Sequence, residues 1–167
     1  MTIDIRHARP RDQGFITSCL LKAARKGHFH LPQNDREQVR LFKQHVADIL
    51  TLATSEPNSS YQAFVITAQG KNAGTAILTP LPNGSSGREI YALALLPEYQ
   101  GKGLGSQVLD WLMNRLQHEV IVARCAPISQ TMYHLLSQRG FKELGLTDTG
   151  FHVLQRDNLA PDDLPGS

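Results

Sequence analysis

Cysteine, charge imbalance and long apolar runs are all scarce in this chain. Cys19 and Cys125 are the only cysteines in 167 residues. Both sit inside apolar patterns, which reads as two buried reduced thiols rather than a disulfide. Two thiolates cannot supply the four ligands of a thiolate-only structural zinc site. Lys and Arg number 17 against 15 Asp and Glu, a formal charge of only +2, and the basic residues are spread along the chain. That excludes a nucleic-acid arm or a polybasic anchor, so no nucleic-acid partner is expected. A weak preference for anionic ligands is all that the charge supports. No apolar run approaches the roughly 20 residues of a membrane span. The N-terminus, Met1-Thr2-Ile3-Asp4, is polar and acidic, without the pattern of a signal peptide. The expectation is a soluble cytoplasmic protein with no membrane contact, without internal repeats or a second domain.

What the sequence does contain is enough apolar residue, 41%, for a core. Ile3 to His7 alternates as a strand. Pro10-Arg11-Asp12 opens a helix, with Asp12 as its cap and Phe15, Ile16, Cys19, Leu20 and Ala23 as its apolar face. Gly27 stops it. Asn34 with Glu37 reads as the capping arrangement of a second helix, which turns Val39, Phe42, Val46, Ile49 and Leu50 to one side. Ser55 to Ser60 is a loop. Tyr61 to Thr67 and Ala73 to Thr79 form a hairpin around Gln69-Gly70-Lys71-Asn72, and Pro82 to Gly87 is a further turn. Glu89 to Leu96, apolar over most of its length, suits a strand covered on both faces. A third helix carries Val108, Leu109, Leu112, Met113 and Leu116 inward. Val120 to Ala126 is a fifth strand, and Ser129 can cap a helix to about Arg139 that buries Met132, Leu135 and Leu136. Gly140-Phe141 ends it, two strands follow (Phe141 to Leu144, Gly150 to Leu154), and residues 158–167 read as a loose Pro/Asp-rich tail. The order is β-α-α-β-β-β-α-β-α-β-β, a mixed α/β fold.

The stretch Tyr99-Gln100-Gly101-Lys102-Gly103-Leu104-Gly105-Ser106 stands out between the fourth strand and the third helix. Alternating glycines let the backbone turn tightly and approach a ligand. The helix start adds unpaired N–H groups and partial positive charge. Together they make an anion cradle, most often for phosphate. Two nucleotide motifs fail here. Lys102 is followed by Gly103 where a phosphate-loop Ser/Thr would stand, and the glycine spacing is G-x-G-x-G, not the G-x-G-x-x-G of a dinucleotide site. Nucleotide binding is therefore weak on spacing, and a glycine turn with no ligand is the plain alternative.

Leu95-Leu96-Pro97-Glu98-Tyr99-Gln100-Gly101-Lys102-Gly103-Leu104-Gly105 resembles the acyl-CoA motif Q/R-x-x-G-x-G/A of the GNAT superfamily of N-acetyltransferases, met by Gln100, Gly103 and Gly105. Ile5-Arg6-His7-Ala8 with Asp12 resembles the superfamily's opening, and Arg139-Gly140-Phe141 the end of its second motif. The resemblance covers roughly residues 1 to 156. It implies a GNAT-like fold with splayed fourth and fifth strands, one N-acetyltransferase-like domain over 1–157, and direct transfer of acetyl from acetyl-CoA to a primary amine of a small molecule or peptide, with no metal. A catalytically silent acyl-CoA-binding or regulatory module is the alternative. Dimers are common in the family, so a homodimer stays open, as does the identity of the acceptor.

By the same resemblance, backbone N–H groups from Gly101 through Ser106 (Gly101, Lys102, Gly103, Leu104, Gly105, Ser106) hold the CoA pyrophosphate. The Lys102 side chain need not touch it. Leu93, Ala94 and Leu95 lie along the pantetheine arm, and an N–H near Leu95 polarises the acetyl carbonyl. Glu89 stands where many relatives carry a glutamate, either as base or as a solvated strand-end residue, and Tyr91 shares its face. The usual acid tyrosine is replaced by Leu136, and the usual asparagine by Ser129, which either bonds CoA or caps its helix. Tyr133, three residues before Leu136, is either a substitute acid or a packed core residue. His28, Phe29 and His30 fall in the loop that usually forms the acceptor pocket, to line it, to act as base, or as surface residues. They have no third ligand nearby for a metal. Arg124, a charge in mid-strand, meets either an acidic substrate or an acidic neighbour.

Overall fold

The computed structural model describes residues 1–31, 35–56 and 59–157. Its elements follow the expected order: β1 (Ile3–His7), α1 (Gln13–Arg25), α2 (Arg36–Ser55), β2 (Gln62–Ala68), β3 (Lys71–Pro80), β4 (Arg88–Leu95), α3 (Leu104–Arg115), β5 (Ile121–Cys125), α4 (Gln130–Ser137), β6 (Lys142–Leu146) and β7 (His152–Arg156). Short 3-10 turns at Pro10–Asp12, Pro82–Gly84 and Pro97–Tyr99 each begin on a proline, whose fixed φ suits a first turn.

The strands form one sheet in the order β1-β2-β3-β4-β5-β7-β6. Its neighbours pair antiparallel except β4 and β5, which run parallel. Period-two alternation sends side chains to two separate cores. On one face Ile16, Cys19 and Leu20 of α1 and Val46, Ile49 and Leu50 of α2 pack on Val65, Ile77, Ala92 and Ala94. On the other, Val108, Leu109 and Leu112 of α3 and Leu136 of α4 pack on Phe64, Leu78, Ile121 and Leu154. Cys19 and Cys125 are free and buried, and burial raises both thiols to about 11, so neither is a ready nucleophile.

Several details depart from the sequence reading. The strand buried continuously on both faces is β3, from Ala73 to Thr79, whereas β4 alternates between buried and half-buried. The reason is its neighbour: β5 leaves β4 part-way along and uncovers one side. Helix α3 starts at Leu104, so Gly105 and Ser106 already lie in its first turn. Asn34 lies outside the described residues; Asp35 is the N-cap of α2, its carboxylate accepting from the N–H groups of Glu37 and Gln38 at 3.0 and 3.2 Å. Residues 158–167 also lie outside the described residues.

Asp12 does not cap α1 through its side chain. Its carboxylate instead accepts two hydrogen bonds from Arg6 of β1, at 2.7 and 2.9 Å, and one from the Arg9 N–H at 2.8 Å. Asp12 is 5% exposed, and the Arg6 guanidinium holds its carboxyl down at about 2. A depressed carboxylate contributes stability above its unfolded value of 3.8 and loses it as pH falls through about 2. Asp12→Asn is therefore expected to cost on the order of 2 kcal/mol at neutral pH. Urea unfolding at a series of pH values should show the wild type converging on the variant between those two pH values.

Candidate active site

The site begins where the sheet splits. Strands β4 and β5 pair at Arg88–Ile121, Glu89–Val122 and Ile90–Ala123, and no further. β4 continues to Leu95 against β3 alone. One irregularity starts the divergence. Leu78 pairs with Ile90 and Ile77 with Ala92, so Tyr91 is the extra residue of a bulge, a device that bends a strand and re-aims its side chains. The opening is a cleft of about 490 Å³ between β4, β5, α3 and α4, with Ala23, His28 and Phe29 reaching it from the α1 side.

At the outer end of the cleft the chain leaves β4 through the Pro97–Tyr99 turn. Gln100 donates its side-chain N–H to the Leu95 carbonyl at 2.9 Å, tying the loop to the end of the strand. Gly101 and Gly103 have φ of +73° and +77°, the left-handed region that disfavours a Cβ. A Cβ at either would meet no protein atom within 4 Å. The glycines thus answer to backbone conformation and to open space in front of the loop, not to packing. Gly103 is the N-cap of α3 and has no side chain to satisfy the first N–H groups. The cradle therefore presents donors and helix dipole to the cleft, as an anion requires. Arg139, just past the end of α4, braces it, donating to the Ser106 hydroxyl at 2.6 Å, to the Leu135 carbonyl at 2.8 Å and to Asp110 at 2.9 Å.

Most of the residues expected to hold the cofactor line the cleft: Leu93, Ala94, Leu95, Gln100, Gly101, Gly103, Leu104, Gly105, Ser106 and Ser129. Lys102 does not; its side chain is exposed. His28 and Phe29 line the cleft, whereas His30 is exposed and outside it. Gly27, at φ +88°, ends α1 in a paired return, with the Gly27 N–H on Ala24 and the His28 N–H on Ala23, and so points the chain across to α4. There His28 Nδ1 meets Ser129 Oγ at 2.5 Å.

Tyr133 is not brought to the cleft. Helical phase turns it away from Met132, Leu135 and Leu136, which do line it, and its ring packs edge-on against His152 of β7 at 5.2 Å. Leu136 is buried in the cleft wall.

Glu89 sits at the root of the split with its side chain only 15% exposed. Burial raises its pKa, and Arg124, 3.1 Å away in an ion pair, works against that rise. Tyr91 is raised to about 12 by burial and by the charge on Glu89, so its phenol stays protonated. Glu89 opens not on the cleft but on a second recess of about 480 Å³, with Leu81, Val122, Thr147 and Asp148 around it. Arg124 lines both cavities. Extended geometry separates two expected roles. Leu95 and Glu89 are six positions apart on one strand, roughly 20 Å at about 3.3 Å per residue. An acetyl carbonyl held at Leu95 would lie out of reach of Glu89.

Sequence reasoning missed the Tyr91 bulge, the Arg139 brace, the His28–Ser129 contact and the recess at Thr147 and Asp148. Only Arg139 carried a signal, its place in Arg-Gly-Phe.

The split sheet thus leaves a free strand edge of β4 running into a glycine loop with unpaired N–H groups. The chain belongs to the acetyltransferase (GNAT) family, whose pattern its residues 21–141 match. Among solved structures it is similar in fold to a histone acetyltransferase HPA2 and related acetyltransferase from Corynebacterium glutamicum, at 17% identity and TM-score 0.74 over 96% of this chain and 99% of the other. A phosphinothricin acetyltransferase from Sinorhizobium meliloti, in complex with acetyl-CoA, is 20% identical with TM-score 0.72 over 99% and 95%. The PaiA N-acetyltransferase from Thermoplasma acidophilum, in complex with coenzyme A, is 18% identical with TM-score 0.68 over 94% and 99%. No curated protein sequence matches. Among the described residues no helix is long and apolar enough to cross a membrane, and no cluster of three or more His, Cys, Asp or Glu is placed to hold a metal ion.

Proposed function

We propose that the protein is an N-acetyltransferase that moves acetyl from acetyl-CoA directly to a primary amine of a small molecule or peptide. The observation that carries this reading is the free edge of β4 from Tyr91 to Leu95, leading straight into the cradle of Gly101 to Ser106. The open space before Gly101 and Gly103 fits a pyrophosphate, and the strand edge fits the amides of a pantetheine arm. Relatives of the same fold bind coenzyme A or acetyl-CoA.

Acetyl-CoA supplies the acetyl group already activated as a thioester. The N–H groups of residues 101–106 bind its phosphates, and β4 aligns its arm. The bulge segment Tyr91 to Leu93, close to Glu89, is the part of the strand suited to polarise the acetyl carbonyl. Glu89 takes the proton of the incoming ammonium, directly or through water. Its raised pKa brings it closer to that of an amine, which makes it the stronger base. The recess beside Glu89, with Asp148 and Arg124 on its wall, is the approach for the acceptor.

The test is thiol release from acetyl-CoA across a panel of polyamines, amino acids, aminoglycosides and short peptides, with the product weighed by mass spectrometry. An amine gaining one acetyl group supports the reading. Tight acetyl-CoA binding with no thiol release for any amine would instead make the chain a silent acyl-CoA module. Stronger stabilisation by ATP than by CoA would remove both.

A further inference from the structure

Two loops from distant parts of the chain meet at the wall of the cleft, and they carry a side-chain pair there. His28 follows α1, and Ser129 precedes α4. The loops are in contact: a Cβ on Gly27 would lie 3.6 Å from Ile128 Cγ2. A serine at an N-cap ordinarily accepts from the first free N–H groups of its helix. Ser129 makes no such side-chain bond; its backbone carbonyl takes the Tyr133 N–H, and its hydroxyl is 2.5 Å from His28 Nδ1. Both residues line the cleft beside Leu136, which has no proton to offer.

The surroundings of the pair keep its imidazole neutral. Burial, helped by Lys26, lowers the His28 pKa, so the imidazole is neutral and carries one N–H at neutral pH. Arg124 is the only Lys, Arg, Asp or Glu lining the cleft among the described residues. Either neutral tautomer makes this contact; the one with its proton on Nδ1 has His28 donating to Ser129 Oγ, which frees the serine proton for another acceptor.

We propose that Ser129 donates a hydrogen bond to the sulfur of the departing CoA thiolate and that His28 is the positioning residue that fixes the hydroxyl for it. The proposal rests on the cleft being the CoA site. In the step, the amine nitrogen bonds to the acetyl carbon and the carbon–sulfur bond breaks, its electron pair staying on sulfur. The ammonium has given one proton to Glu89 before attack, and the bonded nitrogen gives a second to solvent as the amide forms; Glu89 passes its own proton on to solvent. Ser129 keeps its own proton and donates to the thiolate, which later takes a proton from solvent. A thiol near pKa 8.5 needs stabilisation more than a strong acid, and hydrogen bonds to a charged partner are the strong ones.

The experiment titrates the thiol of bound CoA by the ultraviolet absorbance of its thiolate, so no acceptor is needed. In the wild type the thiol is expected about one unit below its free value, a tenfold change. Ser129→Ala should return it to the free value, and His28→Ala should return most of the shift. His28→Asn, whose amide can donate in place of the imidazole, should recover part of it. All variants keep Lys26 and Arg124. Each titration is run at saturating CoA, with thermal unfolding of each variant alongside, which separates this effect from loss of the fold. Identical titration in wild type and Ser129→Ala, with CoA bound, overturns the proposal. Failure of CoA to bind the wild type removes the CoA site itself and the proposal with it.

Discussion

Gly103→Val is expected to weaken acetyl-CoA binding by roughly 10²–10⁴-fold, the equivalent of two charge-assisted hydrogen bonds at about 1.5–3 kcal/mol each. Gly103 sits at φ +77° as the N-cap of α3. A β-branched side chain is strained there, so the loop must re-fold its backbone and turn its N–H groups away from the phosphates. The new side chain also enters the space in front of the loop, where no protein atom lies within 4 Å. That same emptiness protects the fold, because no neighbouring residue outside the loop has to move to admit the valine. The stability cost should stay on the order of 1–2 kcal/mol, from the backbone conformation alone. Calorimetric titration with acetyl-CoA, alongside thermal unfolding, separates the two effects. Unaltered affinity in a folded variant would contradict the cradle.

Glu89→Gln should lower the rate by roughly 10²–10⁴-fold with the best amine of the panel, the usual contribution of one positioned base. Acetyl-CoA affinity should hardly change, because Glu89 does not line the donor cleft. In the wild type, activity should fall as pH drops through the Glu89 pKa, which burial places above the ordinary 4.5. The variant should lose that acid limb. Stability should move the other way. A carboxyl whose folded pKa is raised binds more protons in the native state, so stability declines as pH rises from 4.5 through the raised value. Glutamine lacks that charge. Glu89→Gln should therefore unfold no more easily than the wild type at neutral pH, a pattern that a merely structural glutamate would not give. A rate and pH profile like the wild type's would remove Glu89 as the base.

Local chemistry made much of this legible beforehand. Periodicity placed every helix and strand in order, and Gly27 and Gly140 marked the ends of α1 and α4 because their left-handed backbone is a local requirement. The cradle was readable for the same reason. What stayed hidden depends on contacts between distant residues. His28 and Ser129 are 101 positions apart, and neither residue type implies the other. The split of the sheet rests on a bulge at Tyr91, one residue of mismatch between two strands that otherwise alternate normally. Tyr133 shows the limit of counting along a helix. Being three residues from Leu136 placed it near the right face, yet the actual phase of α4 gives its ring to His152. Asp12 reads from the sequence as the cap of α1, but Arg6 draws its carboxylate away from the helix it precedes.

The central claim is that acetyl-CoA lies along the open edge of β4 with its phosphates in the loop of residues 101–106. Amide chemical-shift mapping of the ¹⁵N-labelled protein during titration with acetyl-CoA tests it most directly. The expected result is a contiguous set of large, saturable shifts over Tyr91 to Leu95 and Gly101 to Ser106, with none around Arg40 and Gln44 on α2, which line neither cavity. Shifts that saturate elsewhere while those two segments stay still would contradict it.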